Sequence, residues 1–143
     1  MPILAFIANK HNLNSIAALT GALEVDARTR TLSLRFLWRD ERLMPRLHAL
    51  GRETGRLIVA LSFVTANLPE MAALIGELRE LEPEPFLIAG GPHPSARAEE
   101  VLELGVDAVV IGEGEEALPA LLERHLAGES VAGLPGVATL VAG

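Results

Sequence analysis

The residues of this chain that could do chemistry fall in three short stretches: Asn9-Lys10-His11-Asn12-Leu13-Asn14, Ser62-Phe63-Val64-Thr65 and Gly90-Gly91-Pro92-His93. A neutral imidazole at His11 is a competent transition-metal ligand. Ser62 ends an otherwise apolar run, where its hydroxyl would either stand at a crevice rim or satisfy a nearby backbone group. Thr65 and Asn67 are further polar candidates in the same loop, and either could instead cap the helix that follows. Gly90 and Gly91 end another apolar run. Paired glycines let a bulky ligand approach bare backbone, because no Cβ stands in the way, or they simply make a tight turn. His93, between two prolines, could line a pocket, face a partner domain or sit in solvent. These residue types suit the holding of a ligand. They contain no nucleophile–base–acid set.

Other chemistries are excluded one by one. No Gly-x-Gly-x-x-Gly follows the first apolar run, and no phosphate-binding Gly-Lys-Ser/Thr occurs. Glu113, Glu115 and Glu116 suggest a metal or acid–base site, but acids in a helix's first turn complement its dipole, and no nearby His or Asp completes a metal set. There are no cysteines, so a disulfide scaffold, a thiolate zinc site and an iron–sulfur cluster are excluded within this chain. The formal net charge of −7 argues against nucleic acid, whose phosphates need a basic surface. The arginines concentrate between Arg28 and Arg56, as a solvated helix face or a docking face. No apolar run is long enough to span a membrane, so a soluble cytoplasmic protein is expected. His48 and His125 fall on helices and carry no assigned role. Trp38 is either core or a partner anchor.

The elements that must position these stretches follow from the apolar pattern. With 143 residues and 50% hydrophobic content, one domain with a real core is expected. Residues 3–8, 57–63, 86–89 and 107–111 read as strands, and 137–141 as a possible sixth. Residues 31–37 alternate apolar and polar, so only one face is buried and an edge strand is expected. Helical periodicity covers 13–24, 40–54 with a break possible at Pro45, 69–81, 95–104 and 115–127. Either Asn12 or Asn14 is placed to cap the first helix.

Strands alternating with helices give an α/β fold, a doubly wound parallel sheet with helices on both faces. With the second strand at an edge, the three-layer flavodoxin-like (Rossmann-like) order 2-1-3-4-5 fits best. In such sheets the ligand crevice lies beyond the carboxyl ends of the strands, where the order reverses. That is between strands one and three, where loops 9–14, 62–67 and 90–95 should meet. A phosphoacceptor receiver domain shares this order but needs acids after strands one and three, where Ala8-Asn9 and Ser62-Phe63 stand instead.

Gly90-Gly91-Pro92-His93, followed by Gly112-Glu113-Gly114-Glu115, resembles the cobalamin (B12)-binding domain at the N-terminus of many radical-SAM enzymes, the methyltransferase and magnesium-protoporphyrin monomethyl ester cyclase-like group. The resemblance spans nearly the whole chain and is strongest from Phe86 to Leu122. Corrinoid-binding domains of this fold carry Asp-x-His-x-x-Gly after strand one, Ser-x-Leu after strand three and Gly-Gly after strand four. Here His11 keeps its spacing while Asn9 and Asn14 replace the Asp and the Gly. Ser62 is kept, with Val64 for the Leu, and Gly90-Gly91 is intact.

The resemblance implies cobalamin as cofactor, with His11 as candidate lower ligand of its cobalt and Asn9 in the orienting position. Ser62 would contact the displaced nucleotide base, and Gly90 and Gly91 would make room for the tail. Val64, Thr65, Pro92 and His93 complete the expected cofactor-binding set. The Gly112 to Glu115 turn, one strand further from the reversal, reads as a helix start and a contact with a neighbouring domain. The whole of 1–143 is then one cobalamin-binding domain, cut from or preceding a radical-SAM barrel. That barrel, in cis, would hold the iron–sulfur cluster and S-adenosylmethionine. Alone, the chain should bind but not catalyse. The alternatives are a degenerate domain acting in recognition or assembly, and a flavodoxin-like binder of another small molecule.

Overall fold

The structure, a computed structural model, describes residues 2–9, 12–29, 31–112 and 114–140. His11, Glu113 and Val141, the last residue of the expected sixth strand, lie outside the described residues. The strands are β1 (Ile3–Ala8), β2 (Ser33–Trp38), β3 (Leu57–Ser62), β4 (Phe86–Gly90), β5 (Ala108–Val110) and β6 (Val137–Ala138). The helices are α1 (Leu13–Val25), α2 (Leu43–Thr54), α3 (Leu68–Leu78), α4 (Pro92–Ala96), α5 (Ala98–Glu103) and α6 (Ala117–Leu126). A 3-10 turn over Thr65–Asn67 leads into α3.

The sheet order is β2-β1-β3-β4-β5-β6, parallel from β2 to β5, with the short β6 antiparallel to β5. The flavodoxin-like arrangement expected from the strand pattern is what the chain forms. Uniformly apolar strands are needed because both sheet faces are covered. Leu4, Phe6, Ile58, Ile88 and Val110 pack with Ile16 and Leu23 of α1 and Leu118, Leu121 and Leu122 of α6. Ile3, Ala5, Val59, Leu61, Leu87 and Val109 turn the other way, against α2, α3 and α5.

Three expected elements differ in detail. Pro45 does not break the second helix. It falls in the first turn of α2, where a backbone N–H would have no intrahelical acceptor anyway. The helix expected over 95–104 is two pieces, because Arg97 leaves helical geometry at φ −133°, ψ 49°. Helix six starts at Ala117 rather than two residues earlier, after two glycines at positive φ, Gly112 and Gly114.

The end of the sheet away from the glycine pair is closed by polar contacts. Asp107 accepts the Leu87 N–H at 2.8 Å and the Arg79 guanidinium at 2.9 Å, tying α3 to β4 and β5. Nearby, His125 stacks on Phe86 with ring centroids 3.8 Å apart. Burial, and next the Arg56 charge, hold its imidazole below the ordinary value of 6.5, against the pull of Asp107. The unfolded chain therefore takes up a proton more readily than the folded one. Stability should be complete above about pH 6.5 and fall as pH drops through the folded-state value. In urea unfolding between about pH 7 and 5, the decline should flatten in His125→Gln. An unchanged slope would assign the pH dependence to other groups.

Candidate cofactor-binding site

β1 and β3 are neighbours, and the chain crosses over in opposite directions from them. The reversal point therefore lies where the strand pattern placed it. A cavity of about 590 Å³ opens there, between the C-terminal halves of β1, β3, β4 and β5 and the helices α1 and α6. Its walls are apolar: Phe6, Ile16, Leu19, Ile88, Val110 and Leu118. Its polar groups are few: Asn14, Ser15, Ser62, Ser95 and Glu115. Apolar walls with a few convergent polar groups, at this volume, suit a small-molecule site.

Ser62 and Gly90 are register partners at the ends of β3 and β4, and both line the cavity. The strand period of two puts them on the same face as Ile58 and Ile88, toward α1 and α6. Among the described residues a Cβ at Gly90 would meet only the Val110 carbonyl oxygen, at 3.7 Å, so the space above it is open. The Ser62 hydroxyl has no hydrogen-bond partner among the described residues, while its carbonyl is held by Asn12. An unspent hydroxyl beside bare backbone is what a ring with polar edges would use.

Gly91 also lines the cavity, but the fold itself demands it. Its φ of 101° with ψ −176° is a region essentially restricted to glycine. A Cβ would sit 2.8 Å from the Ser62 Oγ and 3.1 Å from the Phe63 backbone. The loops after β3 and β4 are in fact stitched together, Phe63 N–H to Gly90 O and His93 N–H to Phe63 O, both at 3.3 Å.

The remaining expected residues fall beside the cavity. His93 is not exposed. It is buried at 5%, with Nδ1 3.0 Å from the Thr65 hydroxyl and its ring stacked on Phe63, and its buried Nε2 has no partner among the described residues. The exposed Thr65 and the buried His93 thus hold each other beside the cavity rather than line it. Val64 is partly exposed, and Asn9 is half-buried beyond the end of β1. Pro92 opens α4 at its first turn, where the missing N–H is harmless. Nothing described bears on His11, and among the described residues no cluster of three His, Cys, Asp or Glu could hold a metal ion.

Two features escaped the pattern reading. The Gly112 to Glu115 turn is not remote from the crevice: Gly112, Gly114 and Glu115 line it. Ser95 Oγ accepts the Gly112 N–H at 3.0 Å and folds the turn inward. Asn12 is no side-chain cap for α1. Its buried amide donates to Ile7 O at 3.0 Å and Ser62 O at 3.3 Å, and its Oδ1 accepts the Asn9 N–H at 2.9 Å. That one side chain fastens the loop after β1 to the end of β3. Asn12→Ala should lower stability by about 1–3 kcal/mol, since buried polar groups lose their partners. The urea midpoint reads this directly, and a midpoint shift within error would show that water replaces the amide.

Among the described residues no helix is long and apolar enough to cross a membrane. A solved CheY-like protein from Pseudomonas aeruginosa shares the fold at a TM-score of 0.56 with 17% identity, covering 94% of this chain and 98% of that one. Hopanoid C-3 methylase of Methylococcus capsulatus is 36% identical over 78 residues, 52% of this chain but only 15% of the methylase. The family described as B12 binding domain matches residues 10–122, which take in all of the second and third crevice loops and all of the first but Asn9. The chain belongs to the B12-binding domain family.

Proposed function

We propose that this chain binds cobalamin, with the nucleotide tail in the cavity and the corrin ring over the ends of the strands. The observation that carries this reading is the Ser62 hydroxyl, without a hydrogen-bond partner among the described residues, beside Gly90 in an apolar cavity at the reversal point. Ser62 would meet the displaced base, Gly90 would let the tail lie against backbone, and Gly91 would hold the two loops in register. His11 is the candidate lower ligand of the cobalt, oriented by Asn9. Cobalamin, when bound, supplies a carrier for methyl groups or a radical partner. The protein's share is binding and orientation.

The domain, spanning 1–143, would serve a cytoplasmic radical-SAM enzyme. Its barrel would supply the iron–sulfur cluster and S-adenosylmethionine for methyl transfer or related radical chemistry. The similarity to a methylase favours methyl transfer, although the chain spans only 15% of that protein's length.

One observation favours the degenerate reading. Asn14 stands where the corrinoid pattern has glycine, and it lines the cavity mouth. Gel filtration after mixing with hydroxocobalamin decides between them. Binding predicts a red chromophore that elutes with the protein. If none is retained, even at high protein concentration, the domain is a recognition or assembly module. For His11, imidazole-nitrogen labelling should change the superhyperfine splitting in the cob(II)alamin EPR spectrum. An unchanged splitting would exclude ligation.

A further inference from the structure

The open edge of the sheet carries an unusual combination. Phe36 is 50% exposed and Trp38 51% exposed, on consecutive same-face positions of β2. Phe36 is covered from within by Phe6, with centroids 5.8 Å apart, and is bare outside. The Ser33 N–H reaches Pro2 O and the Arg39 N–H reaches Ala8 O, so odd-numbered residues of β2 turn their backbone groups to β1. In a parallel pair the even-numbered ones then face outward. The N–H and C=O of Phe36 are thus offered to the open edge. β2 contains no proline and, among the described residues, no strand pairs with its outer side. Such an edge is a template for another strand.

Charge says which strand. Eight of the chain's twelve Lys and Arg residues fall between 28 and 56, against three of its nineteen acids. Arg35 projects from β2 on the face opposite Phe36, the face on which Leu37 packs with Leu43 and Leu47 of α2. Among the described residues, Arg35, Arg42, Arg46 and Arg52 make no ion pair. Pairing β2 with its own copy would oppose two such arginine-rich edges, and like charges across strands are destabilising. We propose that the β2 edge receives an extended segment of a partner protein in which apolar residues, meeting Leu34, Phe36 and Trp38, alternate with acidic residues, meeting Arg35.

Trp38 is the sole tryptophan and there is no tyrosine, so its fluorescence reports on this edge alone. Titrating the chain with a synthetic peptide alternating valine and glutamate should give a saturable blue shift, weakened by salt. The valine–lysine counterpart should give none. Arg35→Glu should weaken the acidic peptide about tenfold and admit the basic one. Methylating alternate peptide nitrogens should abolish binding, because the ladder donors are gone. The proposal is overturned by absence of a saturable shift, by equal binding of both peptides, or by indifference to N-methylation. A peptide-independent shift that follows dimerisation in sedimentation, or tighter binding of a duplex oligonucleotide, would overturn it in favour of a second copy or a nucleic acid.

Discussion

Gly91→Ala is expected to destabilise the protein by about 2–5 kcal/mol, from backbone strain of about 1–3 and overpacking of similar size. Both arise at one atom. The new Cβ needs a backbone region closed to alanine, and it would overlap the Ser62 Oγ at 2.8 Å. Relief requires the loop after β4 to move away from the loop after β3. That breaks the Phe63–Gly90 and His93–Phe63 hydrogen bonds and displaces Ser62 from the cavity wall. A domain of this size has only about 5–15 kcal/mol to lose. Urea unfolding should show a large fall in midpoint, and retention of hydroxocobalamin should fall with it. A midpoint near that of the unmodified chain would mean that the two loops are not locked together as described.

Gly90→Leu is expected to separate binding from folding. Gly90 is extended, without positive φ, and a Cβ there makes only an ordinary contact at 3.7 Å. Gly90→Ala should therefore shift stability by less than about 1 kcal/mol. A leucine would project from the same face as Ile88 into the cavity and occupy the place of the ligand. Hydroxocobalamin affinity, read by equilibrium dialysis, should fall about hundredfold, as expected for a few kcal/mol of overlap. Full affinity in the leucine variant would show that the cofactor does not enter this cavity. The two glycines are adjacent in sequence yet have different physical roles, one in the backbone and one in the space beside it.

The architecture was legible because sheet folds announce themselves through burial. Runs such as Ile3–Ala8, and Leu57 to Leu61 of β3, apolar at every position, require cover on both faces. The alternation around Arg35 marks a half-covered edge. Together these fix the strand order and hence the reversal point. The site was legible only in part. Ser62, Gly90 and Gly91 could be placed at the crevice, where they line the cavity, because strand ends are visible in the pattern. Asn12, one of two candidates to cap α1, takes the N-cap position but its side chain makes no cap bond, because its partners, Ile7 and Ser62, lie on two different strands. For His93 the pattern left pocket, partner domain and solvent open, because flanking prolines do not record that α4 packs the ring against Phe63 beside the Thr65 hydroxyl.

By itself the sequence determined the layers, the order of the first five strands, the resemblance to cobalamin-binding domains and three of the segments that meet at the crevice. Those properties depend on local periodicity and residue type, which the chain displays in order. The tertiary structure alone decided which residues touch. It folded the Gly112 to Glu115 turn onto the cavity through Ser95, made the Gly91 backbone indispensable, buried His93 and left Phe36 and Trp38 open at the edge. Each of these depends on atoms brought within a few ångströms by segments far apart in the chain, and no local pattern records such distances.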